Sequence, residues 1–252
     1  MMIFPAGKIA ASMAIGAVSF ASIRNMAETV HISSAWNNQS STLELPSSSI
    51  LSTYLSMDDS GKKKVSIPDS KSTDDIIDDL KAMERKDLLK LFLYCEAPDD
   101  TTEGDFDGIL LNNNEILTSV SGFITNQLFG INHQKWNGKR FNNNEQTGIN
   151  RFYSKAKDTN KIVLEHQFDH SITPSKLGNQ ENSLLLKYAN YQSILSPWKT
   201  MQDELRVLRR RNESDGETCN DDNRDILLGM GSMAWSGAHF NCQPFCLVRS
   251  KQ

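Results

Sequence analysis

The spacing of apolar and polar positions changes its period part-way along the chain. Ile76, Ile77, Leu80 and Met83 recur at helical intervals, and Leu88, Leu89, Leu91 and Phe92 continue the same apolar face. Ser72 and Thr73 precede them as hydroxyl caps, and Asp74 and Asp75 lie in the first turn, where the helix dipole favours acids. Pro98 ends the pattern. Next, Gly104-Asp105-Phe106-Asp107-Gly108 sets an aromatic between two glycines, which reads as a sharp turn with Phe106 plugging inward. A second helical stripe follows: Ile116, Leu117, Val120, Phe123, Ile124 and Leu128. Its hydroxyl-bearing residues are mediocre helix formers, so it needs packing, either as a helix across one mouth of a barrel or as two short strands.

From Trp136 the pattern becomes short runs separated by turn residues: 136–141, 148–153, 162–168, 183–191, 198–208, 226–234 and 245–249. Leu184, Leu186 and Tyr188 oppose Leu185, Lys187 and Ala189, the alternation of a half-buried strand. Polar connections at 142–146, 158–160, 174–182 and 212–223 separate the runs. Regularly spaced strands of this kind predict a mainly β domain, an antiparallel barrel or sandwich. A barrel of about eight strands is the expected form, because closure removes the exposed edges.

Ahead of this domain the chain reads as an address and a spacer. In residues 1–22, Lys8 precedes a small, apolar, uncharged run at 9–21, shorter than the roughly 20 residues of a spanning helix. Ala17-Val18-Ser19 offers a cleavage site, with Phe20 after it and a hydroxyl-rich tail beyond. That combination resembles the two-part plastid addresses of algae with complex plastids; a secretory signal, or a short surface-anchoring helix, is the alternative. Residues 23–72 are serine-rich with three lysines at 62–64 and little apolar period, the composition of a linker or transit segment. Order is therefore expected over 73–250.

Composition narrows the function. A net charge of -4 and a pI near 5.8 argue against nucleic acid as a partner. Arg209-Arg210-Arg211 is followed closely by Glu213, Asp215, Glu217, Asp221 and Asp222, so it reads as a solvated hairpin tip. Cys95, Cys219, Cys242 and Cys246 form no disulfide framework and no zinc spacing. In a strand, Cys242 and Cys246 would stand roughly 13 Å apart, beyond a disulfide.

Two charged groups could hold a ligand. Lys139, Arg140 and Arg151 would clamp a carboxylate or phosphate if their strands pair at one rim; otherwise they are strand-end charges in water. Glu204 and Arg206 share one strand face, lining the interior as an ion pair or forming a weak bridge outside. Trp136, Phe141, Phe152, Tyr188, Tyr191, Trp198 and Trp235 are either pocket wall or core. His166 and His170 are too far apart on a strand to share a metal easily, Ser232 lies in no nucleophile motif, and no phosphate-cradling glycine loop occurs. No cofactor or metal is expected.

The motif Gly104-Asp105-Phe106-Asp107-Gly108, followed by Trp136-Asn137-Gly138-Lys139-Arg140-Phe141, resembles the GXWXG-domain proteins. The second half of that family is similar to Asp203-Glu204-Leu205-Arg206-Val207, Leu228-Gly229-Met230 and Pro244-Phe245-Cys246-Leu247-Val248-Arg249, so the likeness spans about residues 88–249. It departs at the motif's centre, where Phe106 stands for tryptophan, and in longer insertions at 154–182 and 209–224. The resemblance implies a small lipocalin-like barrel and no settled activity. Three functions follow. The first is a binding module holding a lipid, carotenoid or tetrapyrrole, with Trp136, Tyr188, Tyr191 and Trp198 as wall and Lys139, Arg140 or Arg151 at the mouth. The second is an isomerase or pigment-attaching lyase using Glu204 or His166. The third is an assembly subunit with a filled barrel, meeting a protein or membrane surface through its outer face.

Overall fold

The computed structural model describes residues 26–34, 48–61, 63–68, 70–99, 102–111, 133–154, 161–178, 181–211, 224–233, 239 and 242–251. Helix α1 covers 26–34; α2 (Ser49–Ser52), a hairpin of β1 (Leu55–Met57) and β2 (Lys63–Val65), α3 (Thr73–Ala82) and α4 (Arg85–Tyr94) follow. The remaining strands are β3 (Gly104–Leu110), β4 (His133–Asn142), β5 (Thr147–Ser154), β6 (Ile162–Pro174), β7 (Asn182–Lys187), β8 (Met201–Arg209), β9 (Ile226–Met233) and β10 (Gln243–Arg249). β3 to β10 pair antiparallel in chain order, and β10 returns to β3, closing an eight-stranded barrel. The fold is mainly β, as the run spacing predicts, and has the form of a small lipocalin-like barrel.

Cross-strand pairing fixes which residues face inward. Lys139 stands opposite Asn150, Phe141 opposite Gly148, Leu186 opposite Asp203, and Asp203 opposite Gly231. The interior holds Phe106, Trp136, Phe141, Phe152, Phe168, Leu184, Leu186, Tyr188, Leu205, Leu227, Phe245 and Leu247, all buried. The opposite faces of β8, β9 and β10 carry Leu208, Ile226, Leu228, Met230, Cys246 and Val248, which meet Ile76, Leu80, Leu88 and Phe92 of the two longer helices. β9 and β10 are therefore covered on both faces, which is why Ile226-Leu227-Leu228 and Phe245-Cys246-Leu247-Val248 run apolar without alternation. Cys95, Cys242 and Cys246 are buried free thiols.

The hydroxyl cap of α3 is as predicted. Ser72 accepts from the Asp75 backbone N–H while the Asp75 carboxylate accepts from Ser72, a reciprocal capping box. Three expectations are corrected. The stretch 104–108 is the start of β3, not a turn, although Phe106 does face inward. Gly108 is a strand glycine, needed because the Trp136 ring lies within 2.5 Å of where its Cβ would be. Order also begins well before Ser72: Leu51 and Tyr54 are buried against the helices, and the Tyr54 hydroxyl donates to Asp79 at 2.7 Å. Those anchors sit among serines and lysines at no fixed period, so nothing periodic marked the segment. Lastly, the single helical stripe from 76 to 92 is broken at Met83 and Glu84, both extended, into two helices. The address at 1–22 and the helical stripe at 116–128 lie outside the described residues.

Candidate functional site

Three strands and one connection deliver polar side chains into the barrel's interior. Lys139 comes from β4, Asn150 from β5, Asp203 from β8, and Tyr188 from the first residue after β7. The Lys139 ammonium donates to Asp203 Oδ2 at 2.9 Å, to Tyr188 Oη at 2.6 Å and to Asn150 Oδ1 at 2.8 Å. Tyr188 Oη donates to Asp203 Oδ2 at 2.8 Å and also accepts from Asn150 Nδ2 at 3.3 Å. Asn150 Oδ1 accepts from the Trp136 indole at 3.2 Å, and Asn150 Nδ2 donates to the His166 carbonyl at 3.1 Å. All three ammonium protons have acceptors, and the hydroxyl and amide are engaged. Asp203 Oδ1 is the exception: it is buried and takes no hydrogen bond.

Aromatic rings enclose this quartet. The ammonium lies 5.2 to 5.7 Å from the ring centres of Phe168, Tyr188, Trp136 and Phe245. Burial pulls the Lys139 ammonium below its ordinary value, against the upward pull of Asp203. Burial, and then the charge of Asp203, push the Tyr188 phenol well above its ordinary value. The pair is one cation and one anion, so the network is formally neutral.

Below the quartet the interior is filled. Phe141 meets Phe106 and Phe168 edge-on, each with ring centres 5.6 Å apart, and Phe168 meets Tyr188 at 5.4 Å. Glycines on neighbouring strands make room for the rings: Gly148 lies under Phe168 and Gly229 under Phe245. At that lower end the Arg249 guanidinium lies over the Phe106 ring, 4.7 Å from its centre. The upper end closes differently. Among the described residues its roof is Trp198, carried by the connection between β7 and β8 through a 3-10 turn (Pro197–Thr200). Trp198 stacks on His166 at 4.5 Å and tilts against Tyr188 at 6.0 Å. His166 is the extra residue of a bulge between β5 and β6 and holds a φ of 57°, which an L-residue rarely adopts.

The predicted residues separate. Trp136, Lys139, Tyr188 and Trp198 meet inside the barrel. Arg140 and Arg151 face outward, so the three cations form no common rim. Arg140 forks onto Asp105 at 2.5 and 2.8 Å, and that bond holds the Asp105 carboxyl below its usual range. Arg151 is spent on the Phe106 carbonyl, Asp107 and Ser250. Tyr191 is also outside, 40 % exposed, donating to Asp169 at 2.6 Å.

Glu204 and Arg206 share a face as expected, but it is the outer one, opposite Asp203 and Leu205. Glu204 accepts from Ser175, Ser183 and the Lys176 N–H, pinning the β6–β7 connection. Arg206 closes the end of α4, donating to the carbonyls of Leu93 at 2.9 Å and Cys95 at 3.2 Å and to Glu181 at 3.0 Å. His170 is buried beside Phe141, and burial pulls its imidazole below the ordinary value. Trp235 lies outside the described residues.

Asn150 and Asp203 are the two members of the quartet that the sequence pattern did not single out. Asp203 has the same strand parity as Leu205 and Val207, which is the sign that could have found it. Among the described residues no group of histidine, cysteine and acid side chains could hold a metal ion, and no helix is long and apolar enough to cross a membrane. No protein-family model, curated protein or solved structure matches the chain.

Proposed function

We propose that the chain is a small-molecule binding module whose site is the upper end of the barrel, between the Trp198 roof and the floor made by Lys139, Asn150, Tyr188 and Asp203. The closed eight-stranded fold is compatible with a lipocalin-like binder. One observation carries the reading: among the described residues, the upper end of the interior is covered by a ring from a connection, not by a residue of the wall. Such a roof can leave without unpairing any strand. Wall rings with a few placed polar groups are the ordinary lining of a small-ligand site. The ligand is an apolar molecule with a polar head, the head resting on the quartet. A lipid or a pigment fits that description.

A second reading, a structural or assembly barrel, is favoured by two observations. The waist is filled by Phe106, Phe141 and Phe168, and the β7–β8 connection exposes Ile194 at 81 % and Leu195 at 91 %. Mass spectrometry of the organic extract from the protein purified without denaturation separates the two. The binding module carries a stoichiometric apolar compound. The structural barrel carries none and elutes with a macromolecular partner.

A further inference from the structure

We infer that the ligand presents a neutral hydrogen-bond donor, a hydroxyl or an N–H, to Asp203 Oδ1 in a niche beside Gly231, where a Cβ would stand 3.0 Å from that oxygen. This rests on the binding-module reading and adds the chemistry of the ligand's head.

Two independent features point to this niche. The first is the inventory of the quartet. Lys139, Tyr188 and Asn150 have used their donors on one another, on Asp203 Oδ2 and on the His166 carbonyl, and Asp203, 0 % exposed, retains one oxygen without a donor. An unpaired buried carboxylate oxygen is costly, so a donor there gains more than it would at the surface.

The second is the glycines of the inner face. Gly108, Gly148 and Gly229 each lie beneath an aromatic ring whose atoms come within 2.3 to 2.5 Å of where a Cβ would stand. Gly231 does not. A Cβ there would meet Asp203 Oδ1 itself at 3.0 Å, then Phe245 at 3.6 Å and the Gln243 carbonyl at 3.8 Å. Asp203, Gly231 and Gln243 form one row across β8, β9 and β10. Gly231 and Gln243 are only half-buried, so this row lies at the edge of the filled interior.

Charge selects the head group. Lys139 already neutralises Asp203, so an ammonium head gains no net attraction. A carboxylate head would bring a second negative charge against the free oxygen in a low-dielectric site. A neutral donor meets neither penalty.

A pair of probes with one ring system tests this: 2-naphthol, neutral and donating at pH 7, and 2-naphthoate, anionic, each titrated against the full chain by tryptophan fluorescence. The wild type binds 2-naphthol at least about tenfold more tightly than 2-naphthoate. Gly231→Ala fills the niche and Gly231→Ser supplies its own hydroxyl to Oδ1. Both remove the preference while unfolding midpoints show that the barrel is retained. Equal affinities in the wild type, tighter binding of 2-naphthoate, or a preference unchanged in both variants overturns the niche and leaves the binding module standing. Absence of binding by either probe overturns both.

Discussion

Tyr188 is the residue whose ionisation ties the site to the stability of the fold. Its phenol is held above its ordinary value of 10.0 by burial and then by Asp203. Between pH 10 and the folded value, unfolded chains release a proton that folded chains keep. The unfolded state then binds fewer protons, and stability falls as pH rises. Tyr188→Phe should be less stable at pH 7, because Lys139, Asn150 and Asp203 each lose a partner, yet lose less on going from pH 10 to pH 11. Urea midpoints across pH 7 to 11 check this; an alkaline slope equal to the wild type's contradicts it. Part of the site was legible at this scale. Leu184, Leu186 and Tyr188 share one parity, and that alternation places Tyr188 inside. Asp203 shows only by its parity with Leu205 and Val207, a sign masked because Asp203-Glu204-Leu205-Arg206 looks like the polar rise of a hairpin when both faces of the strand are buried.

At the scale of elements, the helices are fastened to the barrel by buried arginines more than by local sequence. Arg206 on β8 holds the last carbonyls of α4, its guanidinium 5.0 Å from the Phe92 ring centre. Arg85 on α4 donates to the Cys242 carbonyl at 3.0 Å and to Thr29 of α1 at 2.7 Å. Arg206→Met leaves those α4 carbonyls and Glu181 unserved and should cost about 3 kcal/mol. Arg206→Lys keeps the charge but not the fork, and should recover less than half. Urea denaturation measures the loss, and hydrogen exchange should quicken at the end of α4. A change below about 0.5 kcal/mol would make the contact incidental. Periodicity could not foresee this fastening, since Glu204 and Arg206 look alike as a surface pair or an interior pair. β3 was hidden for a related reason: its glycines suggest a turn until Trp136 is seen to need the space over Gly108. The β5 to β10 runs were readable because turn residues separate them cleanly.

For the whole molecule, closure by β10 against β3 leaves no free edge in the eight-stranded sheet and gives the interior two unlike ends. Among the described residues, wall side chains fill the lower end, with Arg249 over Phe106, and Trp198 from a connection covers the upper end. That asymmetry is the ground for placing a ligand above the polar floor and not through the filled waist. A crystal structure of the full chain soaked with 2-naphthol tests it most directly. The naphthol ring should lie beneath a displaced Trp198, with its hydroxyl within hydrogen-bond reach of Asp203 Oδ1 beside Gly231. A naphthol bound only on the outer wall, with Trp198 still stacked on His166, would contradict it.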